Sequence, residues 1–175
     1  MNFNTENLDK ETLLHLYKAM VLPRTIEEKM LIALRQGKIS KWFSSWGQEA
    51  TSVGSALAMN KEEYILTMHR NLGVFTSREI PLDRLFSQFQ GKMNGFTKGR
   101  DRSFHFGTQE FKIVGMISHL GSQMGVADGI ALSHLLNQEE KCTLVYTGDG
   151  GASEGDFHEA VNTAAVWNLP VIIVV

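Results

Sequence analysis

The sequence predicts an α/β protein: a parallel sheet flanked by helices and preceded by N-terminal helices. Three observations carry this expectation. From residue 113 onward, apolar extended runs alternate with helix-patterned stretches, which is the order that βαβ units produce. The runs at 143–147 and 169–175 are apolar without alternation, as strands buried on both faces are. Residues 8–36 and 48–59 carry helical spacing ahead of the first strand candidate. The expected organisation is a helical lead-in over 1–60 and an α/β core over 61–175, with no linker or internal repeat between them.

The elements follow in order. Leu13, Tyr17 and Met20, then Ile26, Met30 and Leu34, recur at spacings of three and four and predict helix over 8–36. Asp9 suits its start and Gly37 its stop, while Pro23 is expected to break or kink it into two. A second helix is expected over 48–59, ended by Asn60, and a short strand over 64–68. Pro81 fits the first turn of a helix carrying Leu82, Leu85, Phe86 and Phe89, with Gly91 at its exit. Residues 91–109 hold four glycines and five basic residues without periodicity and predict a long functional or mobile loop. Extended chain over 113–117, helix over 121–136, strand over 143–147, a glycine-rich turn over 148–152 and helix over 153–168 complete the core. The last run, 169–175, reads as a core strand, so the chain is expected to be truncated, the N-terminal part of a larger domain.

The 17 Lys and Arg against 19 Asp and Glu leave a net charge of −2, which gives no general pull toward nucleic acid or an anionic membrane. With 43% hydrophobic residues the chain can build a core. Cys142 is the only cysteine, which excludes an intrachain disulfide and a cysteine-rich zinc site. The first seven residues are polar and acidic, so no signal peptide is expected. No apolar run reaches the roughly 18–20 residues of a membrane helix. A cytoplasmic protein is the expectation.

The most informative stretch is the turn Gly148-Asp149-Gly150-Gly151 between a buried strand and a helix. Glycines there let the backbone approach a ligand, and a helix N-terminus favours phosphate. A carboxylate beside phosphate calls for a cation, and Mg²⁺ bridging Asp149 and a diphosphate satisfies both. A plain tight turn is the alternative. The dinucleotide fingerprint fits only in part, since its sixth position is Ser153. No Walker loop is present, because neither Gly37-Lys38 nor Gly91-Lys92 is followed by Ser or Thr. His158-Glu159 opens like a zinc-protease helix, but Asn162 stands where the second His is needed.

The blocks EEKMLIALRQGKIS, WGQEATSVGSAL, MHRNLGVFTSREIP, GKMNGFTKGRDRSFHFG and GASEGDFHEAVNTAAVWNLPVIIVV occur in that order. Together with the GDG turn they resemble the alpha chain of the thiamine-diphosphate-dependent first component of 2-oxo acid dehydrogenase complexes. The resemblance implies a thiamine-diphosphate-binding fold. It implies that Asp149 holds Mg²⁺, that Gly150 and Gly151 offer backbone to the diphosphate, and that Arg70 pairs with it. His69 stands where the family usually has Tyr. Backbone near Ser118 would bond the aminopyrimidine, and Leu120 would wedge the cofactor into its bent shape. Ser122 and Gln123 match positions that hold a monovalent cation in some members. The rest of the metal site, an Asn pair at the end of the last strand, would fall just beyond Val175.

The pyruvate type carries a catalytic His where this chain has Phe43, which tilts the expected substrate toward branched-chain 2-oxo acids. Pyruvate and acetoin dehydrogenases are the alternatives, as is a non-catalytic binding role for residues 1–175 alone. The implied reaction is oxidative decarboxylation, with the acyl group passed to the lipoyl group of an acyltransferase component. The implied partner is a beta chain or a fused beta domain. The family's catalytic His lies outside the sequence, and His105 matches a family His near the site entrance, in a structural or a catalytic role. His15, His134 and His158 read as surface or interface residues, Trp42 and Trp46 as packing, the Met residues as core filler, and Cys142 as inert.

Overall fold

A computed structural model describes residues 7–175; the reading of residues 1–6 as free of a signal peptide lies outside them. The chain forms two compact units, one running to Ala58 and including Arg70–Ile80, the other comprising Met59–His69 and Pro81–Val175.

The first unit is helical. Helix α1 (Lys10–Arg35) is capped by Asp9, whose side chain accepts from the Thr12 amide at 2.6 Å. The expected break at Pro23 does not occur: α1 runs through it for 26 residues. Proline removes one ladder bond, at a cost of about 3 kcal/mol. Here Pro23 is buried on the same stripe as Ile26, Glu27 and Met30, so tertiary packing offsets the loss. Helix α2 (Glu49–Ala58) matches its expected span. A short helix α3 (Leu72–Ser77), absent from the sequence reading, buries Leu72, Gly73, Val74, Phe75 and Thr76. Buried on all sides, it shows no apolar stripe for periodicity to detect.

The second unit holds a four-stranded parallel sheet of order β2-β1-β3-β4, as the sequence predicts. Its strands are β1 (Ile65–Leu66), β2 (Ile113–Val114), β3 (Thr143–Tyr146) and β4 (Val171–Val174). Strands β1 and β2 are shorter than the expected 64–68 and 113–117, because only two register pairs join them before the chains diverge. Helix α4 is Leu82–Phe89, α5 is Ser122–Leu136, α6 is Asp149–Ala152 and α7 is Gly155–Trp167. The core joins Leu66, Met124, Ala127, Val145 and Ala160, with Val114, Ile130, Phe157, Val171 and Ile173 packed against it.

Two details differ from expectation. Strand β4 is not buried on both faces: it pairs only with β3, and Ile172 is 47% exposed. Residues 148–152 are not a simple turn, since Asp149–Ala152 form a helical turn of their own and α7 starts after Glu154 in extended backbone. The 91–109 segment is irregular as expected, but it is anchored. Phe96 stacks on Phe106 at 4.5 Å, and Gln88 of α4 donates to the Arg102 carbonyl and accepts from the Thr97 amide and hydroxyl.

Strand β1 has β2 on one side and β3 on the other, so successive connections leave it in opposite directions. Ligands of open parallel sheets bind at such a reversal, outside the carboxyl ends of the strands. Residues 67–69 follow β1 there, and residues 147–149 follow β3. No helix among the described residues is long and apolar enough to cross a membrane.

Candidate cofactor site

The second unit gathers most of the expected site residues around the end of β3. Gly148 is extended and caps α6, whose first residue is Asp149, with an exposed carboxylate. The Ala152 amide returns to the Gly148 carbonyl at 2.8 Å, which closes the turn. Helix starts leave their first amides without a partner in the helix, so those of Asp149, Gly150 and Gly151 are available to an acceptor. A side chain on Gly151 would run into the hydroxyl of Thr147, so only glycine fits this turn as built.

The loop before α5 lies against the same turn. Leu120 Cδ1 sits 3.9 Å from the position a Cβ would take on Gly150, and the Leu120 side chain is 37% exposed. Gly121 follows with φ +91, and a Cβ there would crowd Asp156 at 3.2 Å and Glu154 at 3.3 Å. Ser118 is tied to the 91–109 segment through its hydroxyl, 2.6 Å from His105 Nε2. His105, Ser118, Leu120, Asp149, Gly150 and Gly151 therefore all belong to one unit, with contacts linking His105 to Ser118 and Leu120 to the α6 turn.

Gln123 ties the strand ends together. Its Nε2 donates to the Tyr146 carbonyl at 3.2 Å and contacts Met68 Sδ at 3.0 Å. Its Oε1 is buried without a hydrogen-bond partner. The neighbouring Ser122 hydroxyl donates instead to Asp156 at 3.4 Å. Among the described residues no cluster of three or more His, Cys, Asp or Glu could hold a metal unaided. A carboxylate such as Asp149 is the ligand type that hard cations take.

His69 belongs to this second unit, but Arg70 belongs to the first. In the first unit Arg70 Nη1 donates to the Ser44 carbonyl at 2.8 Å, and its guanidinium lies 5.9 Å from the Phe43 ring. Lys41 Nζ stands 4.6 Å from the centroid of the same ring. The segment is organised by Glu27, which sequence reasoning missed. This buried carboxylate accepts from Trp42 Nε1 at 2.8 Å, from Ser44 Oγ at 3.1 Å, and from the Ser45 amide and hydroxyl at 2.6 Å each. Its signal was a charged residue on the apolar stripe of α1, beside Ile26 and Met30. Arg24 adds a bond to Glu49 at 2.6 Å and lies 4.4 Å from the Trp46 ring; that hydrogen bond is the main cause holding the Glu49 carboxyl below its ordinary range.

Residues 17–175 match the family model described as the dehydrogenase E1 component. The chain belongs to that family. This E1 chain is 34% identical over 166 residues to "2-oxoisovalerate dehydrogenase subunit alpha, mitochondrial" of Dictyostelium discoideum, covering 95% of this chain and 38% of that protein. The human protein of the same name is 35% identical over 166 residues, covering 95% of this chain and 37% of the relative. The Arabidopsis thaliana "subunit alpha 1, mitochondrial" of that enzyme is 32% identical over 159 residues, covering 91% of this chain and 34% of the relative. The E1 chain thus spans less than two-fifths of the length of these relatives, and its similarity runs to alpha subunits of the branched-chain type.

Proposed function

We propose that this chain supplies the alpha side of a thiamine-diphosphate site in a branched-chain 2-oxo acid dehydrogenase. The observation that supports it best is the seating of Leu120 over the Gly150 backbone beside Asp149, at the reversal point of the sheet. The residues present fit the cofactor. Asp149 is an exposed carboxylate of the kind that suits Mg²⁺, and Gly150 beside it is exposed with Leu120 close by, while Gly151 is buried against Thr147. Thiamine diphosphate would supply the nucleophilic carbon and the electron sink that decarboxylation of a 2-oxo acid needs.

The chain's own residues bind and orient. Asp149 would hold the metal, and the amides of Gly150 and Gly151 the diphosphate. Arg70, kept in place by the Ser44 carbonyl, would pair with phosphate. Leu120 would press on the cofactor's bend, and the backbone at Ser118, steadied by His105, would bond its pyrimidine. His69 would contribute at the end of β1. The unpartnered Oε1 of Gln123 supports a monovalent cation nearby, while the Ser122 hydroxyl is engaged by Asp156. Phe43, standing where the pyruvate type has a His, would give the substrate an apolar neighbour in place of a proton carrier, which would favour an aliphatic side chain. A beta chain or beta domain would complete the site, and a lipoyl-bearing acyltransferase would accept the acyl group.

The test is the full-length enzyme with its beta part, thiamine diphosphate and Mg²⁺, assayed on 3-methyl-2-oxobutanoate beside pyruvate. A higher kcat/KM on the branched acid is expected. A preference for pyruvate would overturn the substrate assignment, and the absence of any thiamine-dependent decarboxylation would overturn the reading.

A further inference from the structure

Gln88, on α4, is only 1% exposed, yet both ends of its amide are engaged. Its Oε1 accepts from the Thr97 amide at 3.0 Å and from the Thr97 hydroxyl at 3.1 Å. Its Nε2 donates to the Arg102 carbonyl at 3.0 Å. Such an amide holds one orientation, because half a turn would set donor against donor and acceptor against acceptor.

The Arg102 carbonyl also closes a turn, since the His105 amide donates to it at 3.1 Å. Gln88 therefore grips the first residue of the turn that ends in His105. Phe104, inside that turn and buried, sets its ring 5.1 Å from that of Phe89, the next residue of α4. Past the turn the chain is held again. Thr108 and Ile113 exchange backbone bonds of 2.8 and 3.0 Å, and a Cβ on Gly107 would stand 2.7 Å from the Gly115 nitrogen. His105 thus sits between two fixed points, and its Nε2 reaches the Ser118 hydroxyl at 2.6 Å. The aromatic contacts alone would cover the core without fixing the direction of this backbone; a buried, directional amide fixes it.

We infer that Gln88 is a positioning residue of the proposed thiamine-diphosphate site: through the Arg102 carbonyl it sets His105, and through His105 the loop at Ser118 that would face the cofactor's pyrimidine. The inference rests on the proposed function for what that loop meets. The bonds from Gln88 to Arg102 and from His105 to Ser118 are the chain's own.

The test uses the full-length enzyme with its beta part. Gln88→Glu keeps the size and the acceptor for Thr97 but lacks the donor for Arg102. Gln88→Met removes both. In either variant, hydrogen exchange of the apoenzyme should quicken across 102–105 and 117–121. Calorimetry with Mg²⁺ should show thiamine diphosphate bound about fivefold more weakly, the fold-change that one lost hydrogen bond produces. In a chain already carrying His105→Ala, Gln88→Glu should change neither the exchange at 117–121 nor the affinity any further. A merely structural role would add its loss in both backgrounds. Unchanged exchange at 117–121 in Gln88→Glu, unchanged affinity, or an effect undiminished beside His105→Ala each overturns the inference, whether or not Gln88→Met folds. The exchange readout needs no cofactor. Failure of the unaltered enzyme to bind thiamine diphosphate would overturn the proposed function instead, while tight binding without the Gln88–His105 coupling would overturn this inference alone.

Discussion

Nε2 of His105 lies 2.6 Å from the hydroxyl of Ser118, joining the irregular 91–109 segment to the loop that carries Leu120. One hydrogen bond thus links two segments that have no regular structure of their own. A neutral bond of this kind contributes about 1 kcal/mol, enough to order a loop without fixing the fold.

His105→Ala should therefore leave global stability nearly unchanged while speeding amide exchange across 117–121. Ser118→Ala should do the same, and the double variant should add little, because both remove one interaction. Hydrogen exchange with mass spectrometry checks this. Additive effects would show that the two residues act separately.

Gly151 and Thr147 form a second coupled pair. Gly151→Ala should cost about 1–3 kcal/mol, as overpacking does. Thr147→Ala in the same chain should recover a good part of that, because it removes the hydroxyl that opposes the new methyl group. Urea unfolding of the four members of the cycle gives the coupling directly.

Glu27→Ala should destabilise by about 3 kcal/mol, since it strands four buried or half-buried donors around Trp42, Ser44 and Ser45. The same variant should raise the mobility of Phe43 and loosen Arg70 through Ser44. Denaturant unfolding, with the intrinsic fluorescence of Trp42 as probe, reads the first effect. A loss under 1 kcal/mol would show that the carboxylate is not the organiser of this segment.

Cys142 tests the electrostatics away from the site. Its thiol is pushed up to about 11, first by burial and then by the nearby Glu63 carboxylate. The shift is upward, so at pH 8 the protonated, unreactive form prevails. Alkylation by iodoacetamide should be about a hundredfold slower than for a free thiol, whose pKa is near 8.5. It should accelerate as pH rises toward 11, and Glu63→Gln should move the profile to lower pH. A profile centred near 8.5 would contradict the burial argument.

The parallel sheet, its helices and the turn at Asp149 were legible because each rests on a local signal: unbroken apolar strands, a glycine cluster, and a strand-helix alternation. Other features depend on tertiary surroundings. Pro23 stays helical because its ring is buried beside Ile26 and Met30, which spacing alone does not weigh against a lost hydrogen bond. Helix α3 is buried all round, so it shows no periodicity. The apolarity of β4 reads as full burial, yet strand order places it beside β3 alone among the described strands. At the site, the glycines and Asp149 announced themselves by type. The buried side chain of Glu27 did not, because its role lies in which distant donors it meets, and Gln123 was named through the resemblance but not for its bond to the Tyr146 carbonyl.

We propose that Asp149 carries the metal that would anchor a diphosphate at the β3–α6 turn. Calorimetry of thiamine diphosphate binding to the complete enzyme, with and without Mg²⁺, tests it most directly when Asp149→Asn is measured beside the unaltered protein. Tight, Mg²⁺-dependent binding is expected in the unaltered enzyme, with loss of that dependence in the variant. Equal affinity and an unchanged Mg²⁺ requirement in the two proteins would contradict it.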